Sequence, residues 1–516
     1  MRNPDRIASF LNCITPFEGR ILTNDVIHEV AVNLIGRKLY YTQQYEMKVP
    51  EYRAIFVDEN RQFSRKQIED IIRNSPQNHK EAGFEKGWPS RFDTWYKLPK
   101  EFGFLFYEMN EPIKISQTGH MLIDAYNEIP TNEKKVQNVM LNSMMKYQSN
   151  NPFRRNLNSN APLLLLLNVL KKLKNDPSEN GAGIFKQELS LLICWPNMDV
   201  DKLYKKIKQI RKKVGFTYSD EFMYNICLEL LEAGEDKKNR FKMNQICDEA
   251  VDEYIRKMRS TGLISLRGNG RFIDFNSFEQ EKINYVIDHY SSYSTCSDIN
   301  SYYEYMGIID NNILDIQESS KTDVAFIRKK ALKKYAQEYS REQIFEELRK
   351  VCSKKESKDP LLKFINGPTR LEFLTSIALS QSFDGLDVNP NYSIDDEGLP
   401  TSTAGGGVAD IECYDTLCDS FFEVTLMCGR SDQVNNEIIP IRRHLIEHIS
   451  QNKNVDSFSV FIAPIIHEDT KESASWYKYK EKIDIIPYNI DEFISKITSI
   501  DSVYQFNTYK TQSVNN

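Results

Sequence analysis

The sequence predicts a multidomain protein: a mainly α-helical N-terminal region, a helical linker and a C-terminal α/β domain. Three observations predict it. At 516 residues the chain is longer than one ordinary core can use. Helical spacing of apolar residues dominates the first two-thirds. From Pro368 onward, apolar runs of strand length alternate with helical stretches. The expected divisions are 1–280, a linker over 281–352, and a last domain over 353–510, opened by the polar break Ser353 to Asp359.

Composition narrows the class. Hydrophobic residues at 40% and charged residues at 27% describe a folded chain. The net charge of -6 excludes a uniformly basic coat but leaves room for a local basic groove, because exposed charges are screened beyond about 10 Å at ordinary salt. Nine cysteines, scattered and without a C-x-x-C pair, support neither a zinc site nor a disulfide framework. A reducing, cytoplasmic setting is expected. The opening MRNPDRIASF has no apolar run of signal-peptide length. The run Pro162 to Leu167 is too short for a bilayer and reads as a core helix, so no membrane partner is expected.

The N-terminal region holds two helix-plus-hairpin units, near 84–130 and 240–278. In the first, Ser90 can cap a helix through Phe102, with Phe92, Trp95 and Leu98 about one turn apart. Gly103 ends it, Phe104–Tyr107 pairs with Pro112–Ser116, and Thr118-Gly119-His120 starts the next helix. In the second, a helix over Glu253–Ser260 stops at Gly262, and Leu263–Leu266 pairs with Arg271–Phe275 across Arg267-Gly268-Asn269-Gly270, residues that tolerate positive φ. This order is that of a winged-helix unit. Between the two, Ile184–Trp195 leads into Lys202, Lys205, Lys206, Lys208, Arg211, Lys212 and Lys213 with no acid among them. A solvated helix face explains such a run; beside two wing-like hairpins, so does contact with phosphates. Arg91, Lys114, Lys205, Lys208, Arg267 and Arg271 are the candidate DNA contacts. Asp323 to Arg349 reads as a charged helix lying between domains.

The last domain carries the chemistry. A helix over Thr369–Phe383 precedes strand candidates Val408–Tyr414 and Phe421–Met427, a helix from about Glu437 to Gln451, and a buried strand Phe458–Ala463. Asp410 falls in one strand and Glu423, thirteen residues later, in its hairpin neighbour. A hairpin sets such positions opposite each other, so both carboxylates can converge on one hard cation. Phosphodiester hydrolysis needs such an ion to polarise the phosphoryl group, activate water and neutralise the leaving oxygen. The bland alternative is that each faces solvent or pairs with a Lys or Arg. Burying either unpaired would cost several kcal/mol.

The order Asp410, then Glu423-Val424-Thr425, with Glu372 on the preceding helix, resembles the PD-(D/E)xK nuclease superfamily. More narrowly, AGGGVADIECYD, FFEVTL and the helix with Glu437 and His444 resemble the AlwI-type group of type IIS restriction endonucleases, which includes PleI, MlyI and large subunits of related nicking endonucleases. GWPSRFDTW and FGFLFYEMNEPIKISQTGHMLID resemble the recognition region of that group. The resemblance implies a C-terminal restriction-endonuclease-like domain that cuts DNA outside a short asymmetric site, with Mg2+ as cofactor and Mn2+ substituting. It implies Asp410, Glu423 and the Val424 carbonyl as metal ligands, with Glu372 holding bound water or a second ion. Glu437 and His444 match further site positions.

Pro440 suits a helix's first turn and not its interior, which leaves Glu437 on the helix or just ahead of it. Thr425 stands where the superfamily usually has lysine and cannot supply a cation. His444 is therefore the candidate to activate water or support the leaving group, a structural histidine being the alternative. His448 reads as a bystander; Glu412, in phase with Asp410, is a stronger decoy than Asp415. One site per chain cuts one strand, so a self-dimer or a small nuclease subunit is expected for double-strand cutting, and a nickase otherwise. The resemblance also implies a cognate DNA methyltransferase. The rival readings are a DNA-binding protein with an inactive nuclease-like domain and a non-specific defence or repair nuclease.

Overall fold

A computed structural model describes residues 4–58, 60–129, 131–233, 241–292, 295–296, 298–316, 323–451 and 456–507. The chain divides into two compact units, Met1–Ser320 and Lys321–Asn516. Residue 510, the expected end of the last domain, lies outside the described residues. Among the described residues, no helix is long and apolar enough to cross a membrane.

The first unit is helical with short hairpins. Its helix Pro162–Lys174 buries the whole run Leu163–Leu167, as a core helix should. The helix expected to be capped by Ser90 instead begins at Trp88, with Pro89 in the first turn, where its fixed φ and missing N–H cost nothing. Ser90 is buried and holds the preceding loop, accepting from Glu81 N–H and donating to Glu85 O. Leu105–Phe106 pairs antiparallel with Lys114–Ile115. Ser116 then caps the helix Gln117–Asn127 by accepting from Gly119 N–H. Gly119 is required there: a Cβ would lie 2.3 Å from the Phe104 carbonyl oxygen.

The second hairpin, Ile264–Arg267 with Phe272–Phe275, turns through Gly268, Asn269 and Gly270, all at positive φ. Ile184–Phe185 adds a third strand beside Phe272–Phe275, giving a small sheet with Phe272–Phe275 in the middle. Two residues carry no periodicity, so the sequence showed that strand only as a lead-in. The basic run forms the helix Val200–Val214, which buries Leu203, Ile207 and Ile210. Arg211 departs from the solvated face: it is buried against Glu188 and Glu179.

In the second unit, α1 (Val324–Glu338) and α2 (Arg341–Cys352) meet where Ser340 and Gln343 form a capping box. The single helix expected over Asp323–Arg349 is thus two. Both pack on α3 (Gly367–Ser382): the Tyr335 ring meets Phe373 edge-on at 5.3 Å, and Arg341 donates to Ser382 Oγ at 2.8 Å. The compact unit accordingly begins before residue 353.

A mixed five-stranded sheet follows. Its strands are β1 (Asp387–Pro390), β2 (Ile411–Tyr414), β3 (Cys418–Val424), β4 (Asp456–Ala463) and β5 (Ile485–Asn489), in the order β5-β4-β3-β2-β1. β3, β4 and β5 run parallel, while β2 is antiparallel to both its neighbours. Parallel neighbours need crossovers. Helix α4 (Ile439–Gln451) joins β3 to β4, and α5 (Glu468–Glu481) joins β4 to β5. Phe421 packs with Ile438, Ile441 and Leu445 on one face. On the other, Phe422 meets Phe506 at 5.5 Å. With both faces covered, β3 is buried at every position. The strands expected at 408–414 and 421–427 are shifted: β2 starts at Ile411 and β3 ends at Val424.

Candidate active site

The shift places the acidic pair at the sheet's rim. Ile411 lies opposite Phe422, so one further step sets Asp410 opposite Glu423, just beyond the last ladder pair. The chain there is anchored by Asn391, whose backbone N–H donates to Asp410 O at 2.9 Å and whose amide donates to Ala409 O at 2.8 Å. Asp410 Oδ2 accepts from Val424 N–H at 2.8 Å, and Glu423 Oε2 accepts from Asp410 N–H at 3.4 Å. Each carboxylate thus reaches across to the other's strand. Thr425 N–H bonds Ile462 O on β4 at 3.0 Å. Across a planar trans peptide the Val424 carbonyl must point the opposite way, toward the side from which Asp410 approaches.

The helix after β3 supplies the rest. It runs from Arg430 to Gln451, with a π-helical stretch Gln433–Ile438 just ahead of Pro440. The wider turn accommodates a proline without a backbone donor inside a helix. Glu437 therefore lies within the helical segment and not before it. The side chains of Glu437 and His444, seven residues apart, both act on the acidic pair.

Electrostatics mark the cluster. Burial, and then the charge of Glu423, pushes the Asp410 carboxyl well above its usual range. Burial followed by Glu437 pushes Glu423 up to about 8. Burial raises Glu437 to about 7 against the pull of a hydrogen bond from Thr425. His444 is pushed down, by burial first and then by Arg443, which favours the neutral imidazole. Its Nδ1 is buried without a hydrogen-bond partner, 4.0 Å from Glu423 Oε1.

The donors fit a hard cation. Crowded, desolvated carboxylates repel one another, a repulsion that one divalent ion would relieve, and a carbonyl oxygen faces the same side. Among the described residues, no group of three His, Cys, Asp or Glu stands ready to hold an ion. Mg2+ is commonly held by one or two carboxylates, substrate phosphates and water completing its shell, so two converging carboxylates suit it.

The remaining expected residues fall as follows. Glu372, buried on α3, accepts from Ala404 N–H at 3.0 Å and so anchors the loop leading to Asp410. Glu412 accepts from Tyr414 OH at 2.9 Å. His448 bonds Asp419 Oδ2 at 2.8 Å and packs edge-on against Phe421, a structural role. In the first unit, Arg91 bonds His79 and lies over the Tyr40 ring. Lys208 pairs with Asp176, and Arg267 donates to Asp274 at 2.9 Å. Lys114, Lys205 and Arg271 are exposed.

Sequence reasoning missed Gln433. It is fully buried at the start of the π stretch. Its amide donates to Met427 O at 3.1 Å and Ile465 O at 2.6 Å, while Oε1 accepts from Thr470 Oγ1 at 3.0 Å. It thereby ties the loop after β3 to the segment after β4, one turn ahead of Glu437. A glutamine gives no sign of this until burial is known. On the ion-dependent nuclease activity expected from the sequence, Gln433→Leu should lower kcat about 10²-fold, the scale of a displacement near 1 Å. DNA affinity should stay unchanged and the Mg2+ half-saturation should rise. A weakened affinity with kcat intact would assign Gln433 no positioning role.

The geometry can be set beside known proteins. The AlwI restriction endonuclease family model matches residues 100–329 and 315–495. No curated protein matches the chain. Among solved structures, the small subunit of the heterodimeric restriction endonuclease R.BspD6I is similar at 21% identity over 34% of this chain and 86% of its own, with a TM-score of 0.26. Restriction endonuclease FokI is similar at 12% identity over 98% of both chains, TM-score 0.26. FokI bound to DNA matches at 12% identity over 96% of this chain and 94% of its own, TM-score 0.24. At TM-scores this low the superpositions carry no weight for fold or function.

Proposed function

The chain belongs to the AlwI restriction endonuclease family, and on that premise we propose that it is a type IIS enzyme, or the large subunit of a nicking one, hydrolysing DNA outside a short asymmetric site. The convergence of Asp410 and Glu423 at the rim of β2 and β3 carries the reading. The C-terminal unit is read as a PD-(D/E)xK nuclease domain. The units near 84–130 and 240–278 are read as winged-helix-like, the second with Ile184–Phe185 as a third strand beside its hairpin.

In the mechanism, Asp410, Glu423 and the Val424 carbonyl would hold Mg2+, with Mn2+ substituting. Bound there, such an ion would supply Lewis-acid stabilisation of charge at the phosphoryl group and the leaving oxygen. Glu372 steadies the Asp410 loop and is the candidate to order a second ion or its water. His444, neutral and with Nδ1 unengaged, is placed to take a proton from the attacking water. Glu437, whose carboxyl burial raises to about 7 and which a bond from Thr425 orients, is a further candidate for proton exchange at the site. Thr425 thus orients a carboxylate and does not act as a cation.

The partners under this reading are duplex DNA, a second nuclease site from a self-dimer or a small subunit, and a cognate methyltransferase. Digestion of a defined plasmid with Mg2+, followed by run-off sequencing of both strands, tests it. Ends at a fixed offset from one short motif are expected. Random ends would make the enzyme non-specific, and uncut plasmid with DNA still bound would make the nuclease unit inactive.

A further inference from the structure

A cleft of about 400 Å³ lies beside the second hairpin, between the last turn of helix Pro162–Lys174, the strands, and helix Gln280–Tyr290. Nothing in the cleavage mechanism uses it. Its charges are arranged around one carboxylate. Asp274, 1% exposed, receives Lys174 Nζ at 2.5 Å and Arg267 Nε at 2.9 Å. Arg267 also donates to Phe275 O at 3.1 Å, and Lys174 to Gly181 O at 2.7 Å. Two cations are thereby fixed at the cleft, with little side-chain freedom left to lose on binding. Lys171, on the same helix face and lining the same cleft, is exposed. Three cations against one carboxylate leave the cleft positive in a chain whose net charge is -6.

The amide groups of Gln280 and Asn284 line the other wall, with Gln280 Nε2 donating to Asn284 Oδ1 at 3.0 Å. Fixed cations beside side-chain amides suit an anion with several oxygens. The hairpin that forms one wall continues to an exposed turn carrying Arg271. A polyanion running along the hairpin could therefore meet both cations and turn. We propose that the cleft seats a backbone phosphate of duplex DNA, with Lys171 closing on it and Lys174 and Arg267 held ready by Asp274. This rests on the DNA-reading role proposed for the first unit and adds where the backbone docks. Such a contact fixes register without reading bases.

The test is the salt dependence of DNA binding by the full chain, measured with a duplex containing the cleavage site and with Ca2+ in place of Mg2+ to prevent cutting. Each phosphate contact contributes about 0.9 to the slope of log affinity against log salt. Lys171→Ala should lower the slope by about that amount and weaken binding several-fold at about 0.1 M salt. Lys171→Arg and Lys48→Ala, the latter an equal charge change at an exposed lysine away from the cleft, should both keep the wild-type slope. An unchanged slope in Lys171→Ala overturns the proposal. So does competition by a free nucleoside monophosphate, at constant ionic strength, that Lys171→Ala relieves, for it would assign the cleft to a free nucleotide. A wild-type chain that does not bind DNA at all would instead remove the DNA-reading role, and this inference with it.

Discussion

Asp410→Ala and Glu423→Ala should each lower the single-turnover cleavage rate by about 10³-fold or more while leaving affinity for site-containing DNA within about 2-fold. The magnitude follows from the ion's role: several kcal/mol of charge stabilisation at the reacting phosphate, at 1.36 kcal/mol per tenfold in rate. On the proposed mechanism both residues hold one ion, so the double variant should be scarcely slower than either single one. The separation of binding from cutting follows from the architecture, because the pair lies in the second compact unit and the cation-rich helix and hairpins lie in the first. Rates come from rapid mixing of preformed complex with Mg2+, and affinities from titration in Ca2+. Retention of cutting within tenfold, or loss of binding with cutting, would show that the two acids do not hold the catalytic ion.

Glu423→Gln should also stabilise the protein without divalent ions at high pH. The Glu423 carboxyl is raised from the usual 4.5 to about 8, and that of Glu437 to about 7, burial being the main cause for each. The folded state thus retains protons that the unfolded chain releases. The stability tied to those protons is complete below about pH 4.5 and is lost as pH rises through the folded values. In a chelated buffer, the melting temperature of the second unit should fall between about pH 5 and about pH 9, and Mg2+ should restore it at the upper end. Glu423→Gln removes the most perturbed of the two groups and flattens the profile. At about pH 9 it should melt higher than wild type by at least 2–4 °C, the shift that ~1 kcal/mol produces in a unit of this size. A melting temperature independent of pH, or a variant that gains nothing, would contradict the electrostatic account of the site.

Much of the site was legible because its signals are local. The carboxylates in AGGGVADIECYD and FFEVTL stand in apolar surroundings where an unpaired charge is costly. Their spacing suited a hairpin, and the ladder register brings them opposite. The turn Gly268-Asn269-Gly270 and the helix stop at Gly103 were legible for the same reason: positive φ is a property of one residue and its neighbours. Strand ends were less legible. The apolar positions begin at Val408, ahead of the point where pairing begins, so Asp410 was placed inside a strand that starts one residue later.

Other features depend on residues far apart in the chain. Gln433 becomes a brace only because the segment after β4 supplies Ile465 and Thr470. Arg211 looks like one more lysine-row cation until Glu179 and Glu188 are folded beneath it. Arg91, Lys208 and Arg267 carry the same charge in the sequence as Lys114, Lys205 and Arg271, yet the first three bond polar side chains of their own unit, whereas Lys114 lies over the Phe106 ring and Arg271 donates to Gly268 O. Ile184–Phe185 is too short to announce itself and becomes a strand only by pairing with Phe272–Phe275.

The sequence by itself determined the helical and α/β character of the two regions, the identity of the acidic residues, and the resemblance that named their chemistry. Periodicity, turn propensity and the cost of a charge beside apolar neighbours are encoded within a few residues. Only the tertiary structure decided which cations are committed to internal pairs, where Glu437 and His444 stand against the acids, and what holds the loops around them. Those outcomes depend on desolvation and on partners supplied from distant segments, and neither exists until the chain is folded.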